Sequence, residues 1–85
     1  IYGDEIMSEE YTILAEECGE LTQACCKRIR YGEGEEQRKK LVEEAGDVLF
    51  MIDYLVKQNV FTYEELHARG HIKKEKLKIY SDLEL

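Results

Sequence analysis

The sequence has no proline, only three cysteines and two histidines, and no apolar run longer than Val48 to Ile52. Each shortage excludes something. A chain with 44% hydrophobic residues and no proline is expected to be ordered and helical rather than disordered. The short apolar run falls far below the roughly 20 residues that cross a bilayer, so no membrane span is expected. Three cysteines at 18, 25 and 26, two of them adjacent, do not make a disulfide framework or a zinc-finger spacing. They read as small apolar residues of a reducing cytoplasm. Basic charge is also in deficit: 12 Lys and Arg against 19 Asp and Glu leave a net charge of −7. That excludes the basic face on which a nucleic-acid polymer binds. It leaves open a small anionic substrate reached through metal ions. Residues Ile1 to Glu10 lack the basic start of a secretion signal. The chain opens on Ile1 rather than methionine, as does numbering that begins inside a longer sequence.

What the sequence has is helical periodicity punctuated by glycine. Ser8, followed by Glu9 and Glu10, marks a helix start. Leu14, Cys18, Leu21, Cys25 and Ile29 then recur at spacings of four and three, as an amphipathic helix requires. Lys27, Arg28 and Arg30 place cations at its end, and Tyr31-Gly32-Glu33-Gly34 terminates it. A second helix is expected from Glu35, with Leu41, Ala45, Val48, Ile52 and Leu55 inward, fading near Gln58-Asn59. A weaker third helix runs from Thr62 to Tyr80, with Thr62 and Glu65 at capping-box positions. Its apolar positions Leu66, Leu77 and Tyr80 are sparse, and Gly70 is a candidate kink. Gly19 and Gly46 fall inside helical patterns, as at a close helix approach or beside a ligand. No segment alternates as a strand does. The expected fold is one all-α domain over residues 1–85: a helical bundle with two long antiparallel helices and a shorter C-terminal one. A domain this small buries only about 60% of its unfolded surface, so completion by oligomerisation is expected, with Phe50, Tyr54 and Phe61 as candidate contacts.

The acids carry the chemistry. Glu17 and Glu20 are three apart and share one face of the first helix; Glu44 and Asp47 do the same on the second. Both pairs border the apolar stripes. Two helices joined by a short loop run antiparallel, which brings the pairs together near mid-helix. Four converging carboxylates repel one another unless cations intervene. All-oxygen ligation selects hard Mg²⁺, with Mn²⁺ as a substitute. Mg²⁺ commonly completes its shell with phosphate oxygens, so a nucleotide is a natural partner. With fifteen glutamates in the chain, a solvated acidic face is the competing reading.

Glu16-Glu17-Cys18-Gly19-Glu20-Leu21, followed by Glu43-Glu44-Ala45-Gly46-Asp47-Val48-Leu49, resembles the two metal-binding motifs of the MazG-type, all-α nucleotide pyrophosphohydrolases. The resemblance spans roughly residues 10–80. It implies a helical bundle that assembles as a homodimer or homotetramer. It also implies Mg²⁺-dependent hydrolysis of a nucleoside triphosphate between the α and β phosphates. By motif position it implies Glu17, Glu20, Glu44 and Asp47 as metal ligands. Glu16 and Glu43 lead the motifs, and either one positions the attacking water or faces solvent. Family domains carry a further helix before the first motif, for which Ile1 to Glu10 leaves at most a stub. The C-terminal helix of the family offers basic groups to the phosphates. Here Lys73 and Lys76 lie beside inward positions and are the candidates, while Tyr80 stands where an arginine is expected.

Other constellations are weaker. His67 and His71 lie four apart without a third zinc ligand. The one Glu-x-x-His, Glu64 to His67, is half of what a di-iron bundle needs. Two alternatives to the triphosphate reading stand: a phosphoribosyl-ATP pyrophosphohydrolase, and a non-catalytic helical oligomerisation module.

Overall fold

The computed structural model describes the backbone of residues 2–85 and the side chains from residue 9 onward. The described residues form three α-helices and no strand: α1 Tyr2–Tyr31, α2 Glu35–Lys57 and α3 Tyr63–Tyr80. This is the all-α architecture expected from the periodicity. The chain divides into two compact units, Ile1–Leu55 and Val56–Leu85. The first is the α1–α2 hairpin, and the second carries α3. No helix among the described residues is long and apolar enough to cross a membrane.

Helix α1 is longer than the Ser8 start implied, since its backbone is already helical at Tyr2. No proline interrupts the segment, so nothing in it ends a helix before Ser8. Residues 2–10 therefore extend the motif-bearing helix and do not form a separate stub. At the other end Gly32 adopts φ +92°, and its N–H donates to the Arg28 carbonyl at 3.0 Å. That left-handed residue is a helix stop which a side chain strains. Glu33 follows, and its carboxylate meets the Arg28 guanidinium at 3.0 Å, which ties the loop to the helix it leaves.

Electrostatic neighbours across the hairpin fix its register. Glu17 faces Asp47, Glu20 faces Glu44, and Glu10 faces Tyr54. Each step up α1 is matched by an equal step down α2, so the helices run antiparallel. The inward face, however, is turned from the one the apolar residues mark. Cys18, Cys25 and Ile29 are exposed, Ile29 by 84%. Among the described residues, those inward on α1 are Glu10, Leu14, Glu17, Leu21, Ala24 and Arg28; those of α2 include Leu41, Glu44, Val48, Met51 and Leu55, while Ala45 is exposed. Of these, Ala24, Glu44, Met51 and Leu55 are fully buried. The seam repeats at three and four like a coiled coil, with acids at inward positions of both helices.

Helix α3 begins at a complete capping box. The Glu65 N–H donates to Thr62 Oγ1 at 3.1 Å, and the Thr62 N–H donates to Glu65 Oε1 at 3.0 Å. None of its residues is fully buried; Leu66 and Leu77 are half-buried, whereas Tyr80 is 81% exposed rather than inward. Gly70 neither breaks nor ends the helix. A Cβ at Gly19, Gly46 or Gly70 meets nothing within 4 Å, so no close helix approach explains these glycines.

Two substitutions separate a required glycine from a tolerated one. Gly70→Ala should raise stability by up to about 1 kcal/mol through helix propensity alone. Gly32→Ala should lower it by about 1 kcal/mol or more, because its φ is left-handed. Urea unfolding of both variants checks the opposite signs.

Candidate metal centre

Helices α1 and α2 each bring one acidic pair to the same level of the seam. One carboxylate oxygen from each of Glu17, Glu20, Glu44 and Asp47 lies within 4.8 Å of the other three. The i, i+3 spacing sets each pair on one helix face, and the antiparallel register sets the pairs opposite each other. Glu44 is 3% exposed and Glu17 is half-buried, while Glu20 and Asp47 open toward solvent. Glu17 Oε2 and Glu44 Oε2 are buried and have no hydrogen-bond partner. A buried carboxylate oxygen without a donor is costly, and a cation is the ligand that relieves it. The donor set is all oxygen and carries up to four negative charges, which fits a hard divalent ion.

The proton affinities reflect the same crowding. Burial raises the Glu17 pKa above the ordinary 4.5, and the Asp47, Glu44 and Glu16 charges add to the rise. The Glu44 pKa is also raised, first by the neighbouring Glu20 carboxyl, then by burial and Glu43. Where two carboxyls face each other, a shared proton is the only hydrogen available to bridge them. Lys40 works in the opposite direction on Glu44, with Nζ at 3.4 Å from Oε1. The same ammonium donates to Glu43 Oε2 at 2.8 Å, which lowers the Glu43 pKa. Farther up the hairpin, the Glu10 charge, burial and a hydrogen bond to Glu10 raise the Tyr54 phenol pKa.

The four motif acids thus converge. The two leading glutamates do not join them: Glu16 is exposed beside Glu17, and Glu43 is exposed and held by Lys40. Lys73 and Lys76 are exposed on α3, in the second unit. Lys40 went unmarked in the sequence reading, although its place four residues before Glu44 was a signal for an ion pair.

The profile of the MazG nucleotide pyrophosphohydrolase domain matches residues 8–76, which include both acidic pairs. The chain belongs to this family. No curated protein and no solved structure gives a significant match. The four converging acids of this MazG domain are a candidate site for a divalent metal.

The raised acids make a thermodynamic prediction for the MazG hairpin without metal. A native pKa above the unfolded value means that the folded state binds more protons. Stability should therefore fall as pH rises from about 4.5 through the raised native values of Glu17 and Glu44, and the loss is complete above them. Melting temperatures in chelator across this range should decline, and Glu17→Gln should flatten the decline. At neutral pH, millimolar Mg²⁺ should raise the melting temperature more than sodium chloride of matched ionic strength, because it binds only the folded cluster. Glu44→Gln should remove most of that difference. An equal response to both salts means screening of a −7 surface and no convergent site.

Proposed function

We propose that this MazG domain hydrolyses a nucleoside triphosphate between its α and β phosphates, giving a nucleoside monophosphate and pyrophosphate. Glu17, Glu20, Glu44 and Asp47 are its proposed Mg²⁺ ligands, with Mn²⁺ able to substitute. The observation that supports this most is the convergence of the four motif carboxylates, two of them with buried, unpartnered oxygens. Bound Mg²⁺ supplies charge neutralisation at the phosphates and a lowered pKa for the attacking water. The protein supplies rigidity, since the ligands stand on two helices rather than on a loop. Glu16 is the proposed group that orients the water, because it adjoins Glu17 and its charge acts on that carboxyl. The water oxygen attacks the α phosphorus, and the bond to the bridging oxygen breaks. Pyrophosphate departs with that oxygen and the electron pair. Lys73 and Lys76 are proposed to lend positive charge to the phosphates.

The proposed working unit is a homodimer or homotetramer. Val42, Leu49 and Phe50 of α2 are 57%, 56% and 65% exposed, more apolar surface than one short hairpin usually leaves in water. The proposed compartment is the cytoplasm, where three free thiols stay reduced.

Incubation with Mg²⁺ and a panel of ordinary and damaged deoxynucleoside triphosphates, with phosphoribosyl-ATP included, should release pyrophosphate and a monophosphate from at least one of them. Glu17→Gln and Asp47→Asn should each lower turnover by more than about 100-fold with helical content unchanged, as loss of a metal ligand implies. Full activity in either variant removes the assignment. Sedimentation at micromolar concentration should show an assembly larger than a monomer, and a stable monomer refutes the oligomer.

A further inference from the structure

Below the acidic quartet, toward the α1–α2 loop, the hairpin opens into a groove of different charge. Its near part, about 230 Å³, touches the quartet through Glu20 and Glu44 and is lined as well by Gln23, Lys27 and Lys40. A wider groove of about 710 Å³ shares Lys27 and Lys40 and is net cationic, with Arg38 and Lys39 added to them against Glu36 and Glu43. The register explains the juxtaposition. One to two turns beyond Glu20 on α1 come Gln23 and Lys27, and one turn before Glu44 on α2 comes Lys40. Away from the loop, the same seam carries buried Met51 and half-buried Tyr54, with the Glu10 carboxylate beside the Tyr54 phenol. The quartet therefore lies between an end that carries lysines from both helices and an end that carries Met51, Tyr54 and Glu10.

The two lysines are differently engaged. Lys27 forms no ion pair among the described residues, although it lines both parts of the groove. Lys40 divides its ammonium between Glu43 and Glu44 of its own helix, at 2.8 and 3.4 Å. Neither anchor is strong, because Glu43 is largely exposed and a cation in the quartet competes for the Glu44 charge. A flexible four-carbon stem lets the Lys40 ammonium turn to a stronger anion in the groove.

We propose that this groove seats the pyrophosphoryl end of the substrate, with Lys27 and Lys40 as its cationic contacts and Gln23 as an amide donor. The proposal rests on the nucleotide reading of the quartet and adds a direction to it. The β and γ phosphates point toward the α1–α2 loop, and the nucleoside points toward Met51 and Tyr54. Departing pyrophosphate then leaves along a cationic path, and a compact group with several charges suits paired ammonium groups better than orthophosphate does.

Calorimetric titration of inorganic pyrophosphate into the protein with Mg²⁺ tests this apart from turnover. Lys27→Ala and Lys40→Ala should each weaken pyrophosphate binding by about tenfold, the usual effect of losing a charged hydrogen-bond donor. Lys57→Ala, which removes the same charge at the far end of α2, should change it less than about twofold. Lys40→Arg should restore much of the affinity, and orthophosphate should bind the wild type more weakly than pyrophosphate. In the turnover assay, the two groove variants should raise KM and relieve inhibition by added pyrophosphate. Equal pyrophosphate affinity in the wild type and both groove variants, an equal loss in Lys57→Ala, or no binding by the wild type overturns the groove. The two readings fail separately. An active enzyme whose pyrophosphate affinity ignores both lysines loses the groove but keeps the proposed activity. A protein that binds pyrophosphate through them but cleaves no triphosphate loses the activity and keeps the groove.

Discussion

The mutual repulsion of Glu17, Glu20, Glu44 and Asp47 is the constraint around which the hairpin is arranged. Ordinarily the seam between two antiparallel helices is where a small protein concentrates its apolar burial. Here glutamates take inward positions on both helices, and Glu44 is as buried as the neighbouring Ala24. Burial and like charge both raise the proton affinity of Glu17, and the same pressures act on Glu44 behind the effect of Glu20. A seam built this way weakens the isolated hairpin and gathers the oxygens that the proposed divalent cation would take up. Site and stability are opposed through the same four side chains.

The surrounding structure is consistent with that opposition. Full burial among the described residues is confined to Ala24, Glu44, Met51 and Leu55. Lys40 partly offsets the acids from one side, and the loop is secured by Gly32 and by the Arg28–Glu33 pair. Local interactions therefore carry a large part of the structural definition, as the Thr62–Glu65 capping box does for α3. Apolar residues at Val42, Leu49 and Phe50 face outward, where association with a second chain would bury them.

Chemistry along the hairpin is graded, and the grading follows from the antiparallel register. The end near the loop collects lysines from both helices, the middle collects acids, and the end away from the loop collects Met51, Tyr54 and Glu10. A nucleotide has the same order of parts: a charged phosphate tail, a reacting phosphorus that requires metal, and a flat apolar base. This correspondence joins the proposed activity to the proposed direction of binding.

The sequence by itself determined the helices, their order, the loop and the candidate acids. The i, i+3 pairs, Gly32, and the capping box of Thr62 with Glu65 are local features, and local geometry acts within a few residues. The same locality explains the misplaced start of α1, since Ser8 is a good cap residue inside a helix that had no reason to stop. Only the tertiary structure decided which stripe faces inward. Cys18, Cys25 and Ala45 are as apolar as the residues that pack, so hydropathy placed them in the core. Helix pairing instead turned Glu17 and Glu44 into the seam, with those residues outside. In the sequence Lys27 is legible only as a cation at the end of α1, and Lys40 only as an i, i+4 partner for Glu44. Their meeting beside Glu20 and Glu44 depends on the register between two helices, a quantity that no residue carries alone.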